Sequence, residues 1–272
     1  MQKVLMVFTL LVAANIASTG SAPKTLAENK NIVTAHRGSS AAAPENTLSS
    51  IRKAIRDGAG YAEIDVQETA DGVVILMHDN TARRTAGIDK PVWEIDSGEL
   101  RKASAGAWFG KQFEDERVPT LDEAIQTSKG RVRLNIELKN NGHQKQLAEK
   151  TVALLQKHDF DNDCTITSFD PELLRKVKKL RPGIKTGRII GEKSDVTESL
   201  YASSDYEVIS AAYPLIDEQF MRDAREHHKK VYAWTVNEKK SMQRMVSLGV
   251  DSVITNEPER LVRLLKTIPK ER

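Results

Sequence analysis

The sequence has almost no cysteine: Cys164 is the single one among 272 residues. One cysteine cannot form a disulfide within the chain, and none lies near the N-terminus to carry a lipid anchor. The fold must therefore be stabilised by its buried core. Cys164 lies in an apolar stretch typical of a strand, which favours a small buried side chain over a reactive thiol.

A strong excess of charge of one sign is also lacking. The 41 lysine and arginine residues nearly balance 38 aspartate and glutamate residues, which gives a formal net charge of +3. Proteins that bind nucleic acid through its phosphates usually carry a marked basic excess. We therefore expect no nucleic-acid partner.

The sequence has no apolar run of the length that spans a membrane. The N-terminal apolar run covers residues 4–14, whereas a membrane span needs about 20 residues. Lys3 precedes this run and small residues follow it, an order typical of a secretory signal peptide. We predict a signal peptide over residues 1–22, cleaved after Ala22 or alternatively after Ala27, and an exported protein, periplasmic or extracellular, without stable membrane insertion. An uncleaved anchor is the alternative.

Short apolar runs alternate with amphipathic stretches along the rest of the chain. Eight runs have the character of buried strands: 32–35, 61–66, 132–138, 164–168, 185–190, 207–210, 230–235 and 251–255. Strands that alternate with helices pair in parallel, and eight such units close into a barrel. We predict one α/β domain over residues 31–270, a TIM-type (β/α)8 barrel. A doubly wound open sheet is the alternative.

Polar residues stand where several helices are expected to begin. Asp170 precedes a proline at a predicted first helical position, and Thr120 with Glu123 has the spacing of a capping box. Asn237 and Asn256 are predicted to cap two later helices. These signals support helices between the predicted strands.

Two stretches interrupt the alternation after the second strand. An Asp-Gly pair between extended runs predicts a two-residue hairpin in which Ala70 pairs with Val73. Continuing that register places His78 opposite Asp65. The stretch 80–117 is too long for a simple loop, so we predict a small insertion beside the mouth of the barrel.

Three acidic residues occupy the polar face of two predicted strands. Glu63 and Asp65 are two residues apart, so both side chains point to the same side of their strand. Glu137 has the same position in the next barrel strand. Three carboxylates at one barrel end suit Mg²⁺ or Ca²⁺ better than zinc. A solvated network of ion pairs inside the barrel is the alternative.

Histidines and cations are expected at the same barrel end. His36 and Arg37 follow the first predicted strand, and His78 ends the arm that returns toward the carboxylates. An imidazole can accept or donate a proton near neutral pH, so two of them could act as base and acid. Arg37 and Lys139 would supply positive charge to a phosphate. Active sites of such barrels lie at this face.

The order and spacing of several motifs resemble the glycerophosphodiester phosphodiesterase family. The matching motifs are His36-Arg37-Gly38, Pro44-Glu45-Asn46-Thr47, Glu63-Ile64-Asp65, His78-Asp79, Pro119-Thr120-Leu121, Glu137-Leu138-Lys139, Ser168-Phe169, Trp234-Thr235-Val236-Asn237 and the segment 249–256. The resemblance therefore covers nearly all of the chain after the predicted signal peptide.

The resemblance implies roles for these residues. It implies a barrel in which Glu63, Asp65 and Glu137 bind one divalent cation, Ca²⁺ or Mg²⁺, with His36 and His78 as the acid/base pair. Arg37 and Lys139 match positions that contact phosphate.

The resemblance also covers four residues around that centre. Glu45 and Asn46 match a motif that we interpret as orienting the turn after the first strand, although Asn46 or Thr47 could be a plain helix cap. Phe169 and Trp234 match aromatic positions near the pocket, and barrel packing is the alternative for both.

The implied activity is metal-dependent hydrolysis of glycerophosphodiesters to glycerol 3-phosphate and an alcohol. Attack by a glycerol hydroxyl, through a cyclic phosphate, and direct attack by water are both compatible with these residues. A related exported phosphodiesterase that acts on phospholipid, lysophospholipid or a cell-wall polymer is the nearest alternative. A barrel that binds glycerophosphodiesters without catalysis is a further one.

Overall fold

The structure, a computed structural model, describes residues 32–267. The predicted signal peptide and both of its candidate cleavage positions lie outside the described residues. Within residues 32–267, no helix combines the length and the apolar character that a membrane crossing requires.

Eight parallel strands close into a barrel, with a ninth strand outside it. The strands are β1 (Val33–Ala35), β2 (Tyr61–Glu68), β3 (Val74–Leu76), β4 (Arg133–Leu138), β5 (Cys164–Ser168), β6 (Lys185–Ile190), β7 (Val208–Ala212), β8 (Lys230–Trp234) and β9 (Ser252–Thr255). Strand β1 pairs in parallel with both β2 and β9, which closes the barrel, whereas β3 pairs antiparallel with β2. The predicted TIM-type barrel is confirmed and the open sheet is excluded.

Helices connect the strands and cover the outside of the barrel. They are α1 (Leu48–Asp57), α2 (Arg83–Ala86), α3 (Ser97–Leu100), α4 (Leu121–Ser128), α5 (Leu147–Lys157), α6 (Pro171–Leu180), α7 (Glu198–Ala202), α8 (Glu218–Glu226), α9 (Lys239–Leu248) and α10 (Pro258–Thr267). The predicted capping box of Thr120 and Glu123 begins α4, and the Asp170 side chain accepts a backbone hydrogen bond at the start of α6. Both predicted helix starts are confirmed.

The predicted caps Asn237 and Asn256 were wrong. Helix α9 follows Glu238 and has no side-chain cap. The Asn237 side chain instead accepts a hydrogen bond from the Asn256 N–H at 2.9 Å, and the Asn256 side chain contacts His36. Both asparagine side chains therefore form contacts at the end of the barrel instead of capping a helix.

Side chains alternate along β2 and β4 between the outer core and the barrel interior. Ile64 and Ile136 are fully buried in the apolar core between strands and helices. Glu63 and Asp65 occupy the alternate positions of β2, and Asp65 stands beside Glu137 in the register of the two strands. Because alternate residues of a strand share one face, all three carboxylates lie on the inner face.

The hairpin between β2 and β3 is one residue longer than predicted. Thr69 pairs with Val73 across three loop residues, the last of which is a glycine with a φ of 77°. The Met77 N–H donates to the Asp65 carbonyl at 3.1 Å, so Met77 and not His78 stands opposite Asp65. The predicted register was wrong because Asp-Gly also suits a three-residue loop that ends in a left-handed glycine.

The stretch 80–117 contains α2, α3 and two short 3₁₀ helices around a small apolar cluster of its own. That cluster includes Ile75 and Met77 from the β3 arm. A hydrogen bond from the Ser49 hydroxyl to Glu116 also joins the stretch to α1. The stretch is therefore packed beside the carboxyl ends of β1 and β2.

Candidate active site

Three carboxylates meet inside the carboxyl end of the barrel. One oxygen each from Glu63, Asp65 and Glu137 lies within 4.8 Å of the other two. Glu63 and Asp65 are almost completely buried, and the Glu137 side chain is 13 % exposed. Strands β2 and β4 position these groups through their parallel register, without any loop residue.

The electrostatic state of these carboxyls shows that the cluster suits a cation. Burial raises the pKa of Glu63 well above its usual value, and the charges of Asp65 and Glu137 raise it further. Burial and Asp65 likewise raise the pKa of Glu137 to about 7. Burial also acts to raise the pKa of Asp65, but Lys139 and Arg37 hold it below its usual value. Two carboxyls that resist ionisation beside an ionised third could hold a divalent metal ion, for which oxygen ligands fit.

Two cationic side chains border the carboxylates. Lys139 Nζ lies 2.8 Å from Glu137 Oε1 and 3.6 Å from Asp65 Oδ1. Arg37 donates its backbone N–H to Glu63 Oε2 at 2.8 Å, and its Nε lies 3.4 Å from Asp65 Oδ2. Among the described residues, that Nε is buried and has no hydrogen-bond partner. Both cations are therefore placed to receive an anionic group beside the three carboxylates.

His36 is held by the last strand's end. Its Nδ1 donates to the side-chain oxygen of Asn256 at 2.6 Å, which leaves Nε2 on the side of the carboxylates, 4.0 Å from Glu63 Oε2. Burial, followed by the charge of Arg37, lowers the pKa of His36 to about 4. The imidazole is therefore neutral at physiological pH, with Nε2 able to accept a proton.

His78 lies on the arm that follows β3, with a side chain that is 34 % exposed. Its Nδ1 donates to Asp79 Oδ1 at 2.8 Å, which leaves Nε2 available. The buried Gln67 side chain donates to three carbonyls of this arm, those of Met77, His78 and Asp79, at 2.7 to 3.3 Å. The backbone of His78 is therefore fixed from inside the barrel.

Glu45 and Asn46 connect the turn after β1 to the carboxylates. Glu45 Oε1 accepts from Arg37 at 2.9 Å. The Asn46 side chain donates to Asp65 Oδ2 at 2.8 Å and accepts from the Asp65 N–H at 3.1 Å, while its own N–H donates to the Arg37 carbonyl. Thr47, and not Asn46, is the cap of α1. Asn46 therefore orients an acidic residue of the cluster as well as the turn.

The two aromatic candidates contact each other at the barrel mouth. Phe169 follows β5 and Trp234 ends β8, and their rings meet edge to face with centroids 5.9 Å apart. Phe169 is 47 % exposed, whereas Trp234 packs on Val208 and Tyr232 and donates its indole N–H to the Ser210 carbonyl. Phe169 is thus open to a ligand, while Trp234 also belongs to the packing of the barrel.

Two residues of the site were missed by the sequence analysis. Asn256 was interpreted as a helix cap, and Gln67 was not singled out. The closure of the barrel places Asn256 beside His36, and no local pattern reports this pairing of the first and last strands. A signal for Gln67 existed, since it continues the polar face of Glu63 and Asp65 in an otherwise buried strand.

Comparison with known proteins agrees with this geometry. The model of the glycerophosphoryl diester phosphodiesterase family matches residues 36–260. A glycerophosphodiester phosphodiesterase of Caldanaerobacter subterraneus is 34 % identical over 245 residues, which cover 87 % of this chain and 98 % of the relative. Another, from Bacillus subtilis, is 28 % identical over 267 residues, covering 92 % of this chain and 91 % of that protein.

Solved structures show the same architecture. An Oleispira antarctica phosphodiesterase in complex with the product sn-glycerol-3-phosphate is 30 % identical, with a TM-score of 0.82 over 86 % of this chain and 96 % of that one. A glycerophosphodiester phosphodiesterase from Thermotoga maritima is 28 % identical, with a TM-score of 0.70 over 86 % and 97 % of the two chains. This chain therefore belongs to the glycerophosphoryl diester phosphodiesterase family.

Proposed function

We propose that this protein is a metal-dependent glycerophosphodiester phosphodiesterase in which His36 and His78 transfer protons. Membership of the family supports the hydrolytic activity, and a similar protein has been solved with the product sn-glycerol-3-phosphate. One observation supports the metal dependence and the role of the histidines: three carboxylates converge, with His36 on one side and two cations beside them.

Glu63, Asp65 and Glu137 would bind one divalent cation, Ca²⁺ or Mg²⁺. When bound, such an ion neutralises negative charge on a phosphate and lowers the pKa of a hydroxyl group that contacts it. Arg37 Nε and Lys139 Nζ would bind the phosphate oxygens, since Arg37 Nε has no hydrogen-bond partner among residues 32–267. Phe169 and Trp234 would border the substrate.

His36 is the proposed base and His78 the proposed acid. Burial keeps His36 neutral, and Asn256 fixes the proton on Nδ1, so Nε2 would accept the proton of the attacking hydroxyl. Asp79 accepts the Nδ1–H of His78 and orients the ring, whose Nε2–H would donate to the departing alcohol. Attack by a water molecule would give glycerol 3-phosphate and the free alcohol directly. Attack by a glycerol hydroxyl would release the alcohol and form a cyclic glycerol phosphate, which a water molecule would then open to glycerol 3-phosphate.

A panel of substrates tests this proposal. Purified protein, first treated with a chelator and then given Ca²⁺ or Mg²⁺, is incubated with glycerophosphocholine, glycerophosphoethanolamine and phospholipid vesicles. We expect glycerol 3-phosphate from the water-soluble diesters only after metal is restored. Turnover confined to the vesicles would favour the phospholipid alternative, and tight binding without any turnover would favour a binding barrel.

We further propose that the protein is exported, because Lys3, the apolar run and the small residues after it have the order of a signal peptide. N-terminal sequencing of the protein from the periplasm or medium should begin at Pro23 or Glu28. Recovery from the cytoplasm with residues 1–22 intact would contradict export.

A further inference from the structure

One side chain of the insertion is bound to partners of two different active-site residues. Arg84, in α2, donates to both oxygens of Glu45 at 2.8 Å. The same guanidinium donates to both oxygens of Asp79, at 2.7 and 3.0 Å. It thus forms four charge-assisted hydrogen bonds to two carboxylates, a geometry that lysine cannot reproduce.

Each of these carboxylates has a second partner in the site. Glu45 Oε1 also accepts from Arg37, whose guanidinium lies beside Asp65 of the three carboxylates. Asp79 Oδ1 also contacts His78 Nδ1. Arg84 therefore completes a continuous series of hydrogen bonds that runs from His78 to Arg37 across the mouth of the barrel.

The charges of this series are balanced by Arg84. The hydrogen bonds from Arg84 hold the pKa of Asp79 well below its usual value, so the Asp79 carboxylate beside His78 is ionised near neutral pH. Burial acts to raise the pKa of Glu45, but Arg84 and Arg37 together hold it below its usual value. Without Arg84, the 12 % exposed Glu45 carboxylate would have Arg37 as its single cationic partner among the described residues.

Loss of Arg84 would impair the reaction by changing the orientation of His78 and Arg37. Asp79 is the residue next to His78, and its carboxylate is free to rotate unless a second group fixes it. A released Asp79 would no longer hold the Nδ1–H of His78 and orient its ring. A Glu45 without Arg84 would lose the group that fixes its carboxylate, and with it the orientation that it gives to the Arg37 guanidinium.

We propose that Arg84 is a positioning residue for the hydrolysis, which it supports by fixing Asp79 on His78 and Glu45 on Arg37 without touching the substrate. This inference rests on the proposed function, since it assigns His78 and Arg37 their roles. The Arg84 guanidinium carbon also lies over the ring of Trp108, 5.9 Å from its centre.

The test compares Arg84→Lys with Arg83→Lys. Arg83 is the preceding residue of α2 and binds Asp89 on the exposed surface, so it is a matched control. We expect Arg84→Lys to lower kcat for glycerophosphocholine by about ten- to a hundredfold, as removal of a residue behind a functional group commonly does. Arg83→Lys should retain the wild-type rate, and both variants should bind Ca²⁺ like the wild type.

Three further measurements separate positioning from a merely structural role. Added guanidinium should restore activity to Arg84→Ala. Nitrogen-15 NMR of the His78 ring should show a hydrogen-bonded Nδ1–H in the wild type and the loss of that hydrogen bond in Arg84→Ala. In an Asp79→Asn background, Arg84→Ala should cost much less activity than in the wild type.

If Arg84→Lys and Arg83→Lys hydrolyse glycerophosphocholine at equal rates, the role of Arg84 is overturned. The proposed function would still hold in that case, provided that the wild type is active. A loss that guanidinium does not restore, or one accompanied by an equal loss of Ca²⁺ binding, would overturn the role of Arg84 too. If the wild type itself released no glycerol 3-phosphate, the proposed function would fail first.

Discussion

His36 Nδ1 donates a hydrogen bond of 2.6 Å to Asn256, a residue 220 positions later that follows the last strand. The contact exists because β1 and β9 pair when the barrel closes. An amide oxygen can only accept, so it fixes the proton on Nδ1 and leaves Nε2 as the basic nitrogen. The tautomer of the proposed base therefore depends on barrel closure.

We predict that Asn256→Ala lowers kcat by about ten- to a hundredfold, because His36 loses the partner that sets its orientation. Asn256→Asp should instead raise the pKa of His36, since a nearby negative charge favours the protonated ring. The acidic limb of the rate profile would then move to higher pH, because more His36 is protonated there. Rates measured from pH 5 to 9 at saturating Ca²⁺ check both outcomes. Asn162→Ala, an exposed change before β5, is the control and should leave the profile unaltered.

Metal removal should destabilise the protein in a pH-dependent way. The folded-state pKa of Glu137, about 7, lies above that of an unfolded glutamate, so its contribution to metal-free stability is present at low pH and lost as pH rises through 7. At pH 8, a metal ion at a hundred times its Kd should add about 2.7 kcal/mol, or roughly 5–10 °C in Tm. Thermal unfolding with chelator and with Ca²⁺ measures this difference.

The variant Glu63→Gln tests which residues cause that response. It removes a carboxylate from a buried cluster of like charges, so we expect metal-free Glu63→Gln to be at least as stable as the wild type and to gain little from Ca²⁺. Glu172→Gln, at a site 75 % exposed, should respond to Ca²⁺ like the wild type. A full Ca²⁺ response in Glu63→Gln would remove that residue from the ligand set.

Gly38 should be irreplaceable in the turn after β1. Its φ is 76°, and an added Cβ would lie 2.6 Å from the backbone carbonyl carbon of Ser50. Gly58 has a similar φ of 81° but open space around it. We predict that Gly58→Ala costs about 1–2 kcal/mol from backbone strain alone, whereas Gly38→Ala costs clearly more and displaces His36. Urea unfolding of the two variants compares these costs, and equal values would contradict the predicted clash.

Cys164 should be chemically inert in the folded protein. Burial, with the charges of Asp161 and Asp163, raises the pKa of its thiol to about 12. Since the thiolate is the reactive form, we expect a disulfide reagent to react with the native protein far more slowly than with the unfolded one. Stopped-flow absorbance with and without denaturant measures the ratio. Comparable rates would mean that the thiol is accessible.

The sequence predicts the barrel well because each strand and most helices carry local signals. Alternating polar and apolar residues in β2 and β4 were sufficient to place Glu63, Asp65 and Glu137 on one face. The position of His78 could not be predicted from alternation alone, because one extra loop residue in the hairpin changes the strand register by one residue. The role of Asn256 was still harder to predict from the sequence. Its contact with His36 arises from barrel closure, which no local pattern encodes.

Locating the metal ion and the product together tests the proposed metal site most directly. Crystals grown with Mn²⁺ and sn-glycerol-3-phosphate give an anomalous signal that marks the metal. We predict one strong peak bound by Glu63, Asp65 and Glu137, with the phosphate contacting Arg37 and Lys139 and both histidine Nε2 atoms facing the ligand. A metal bound elsewhere, or a phosphate remote from these carboxylates, would contradict it.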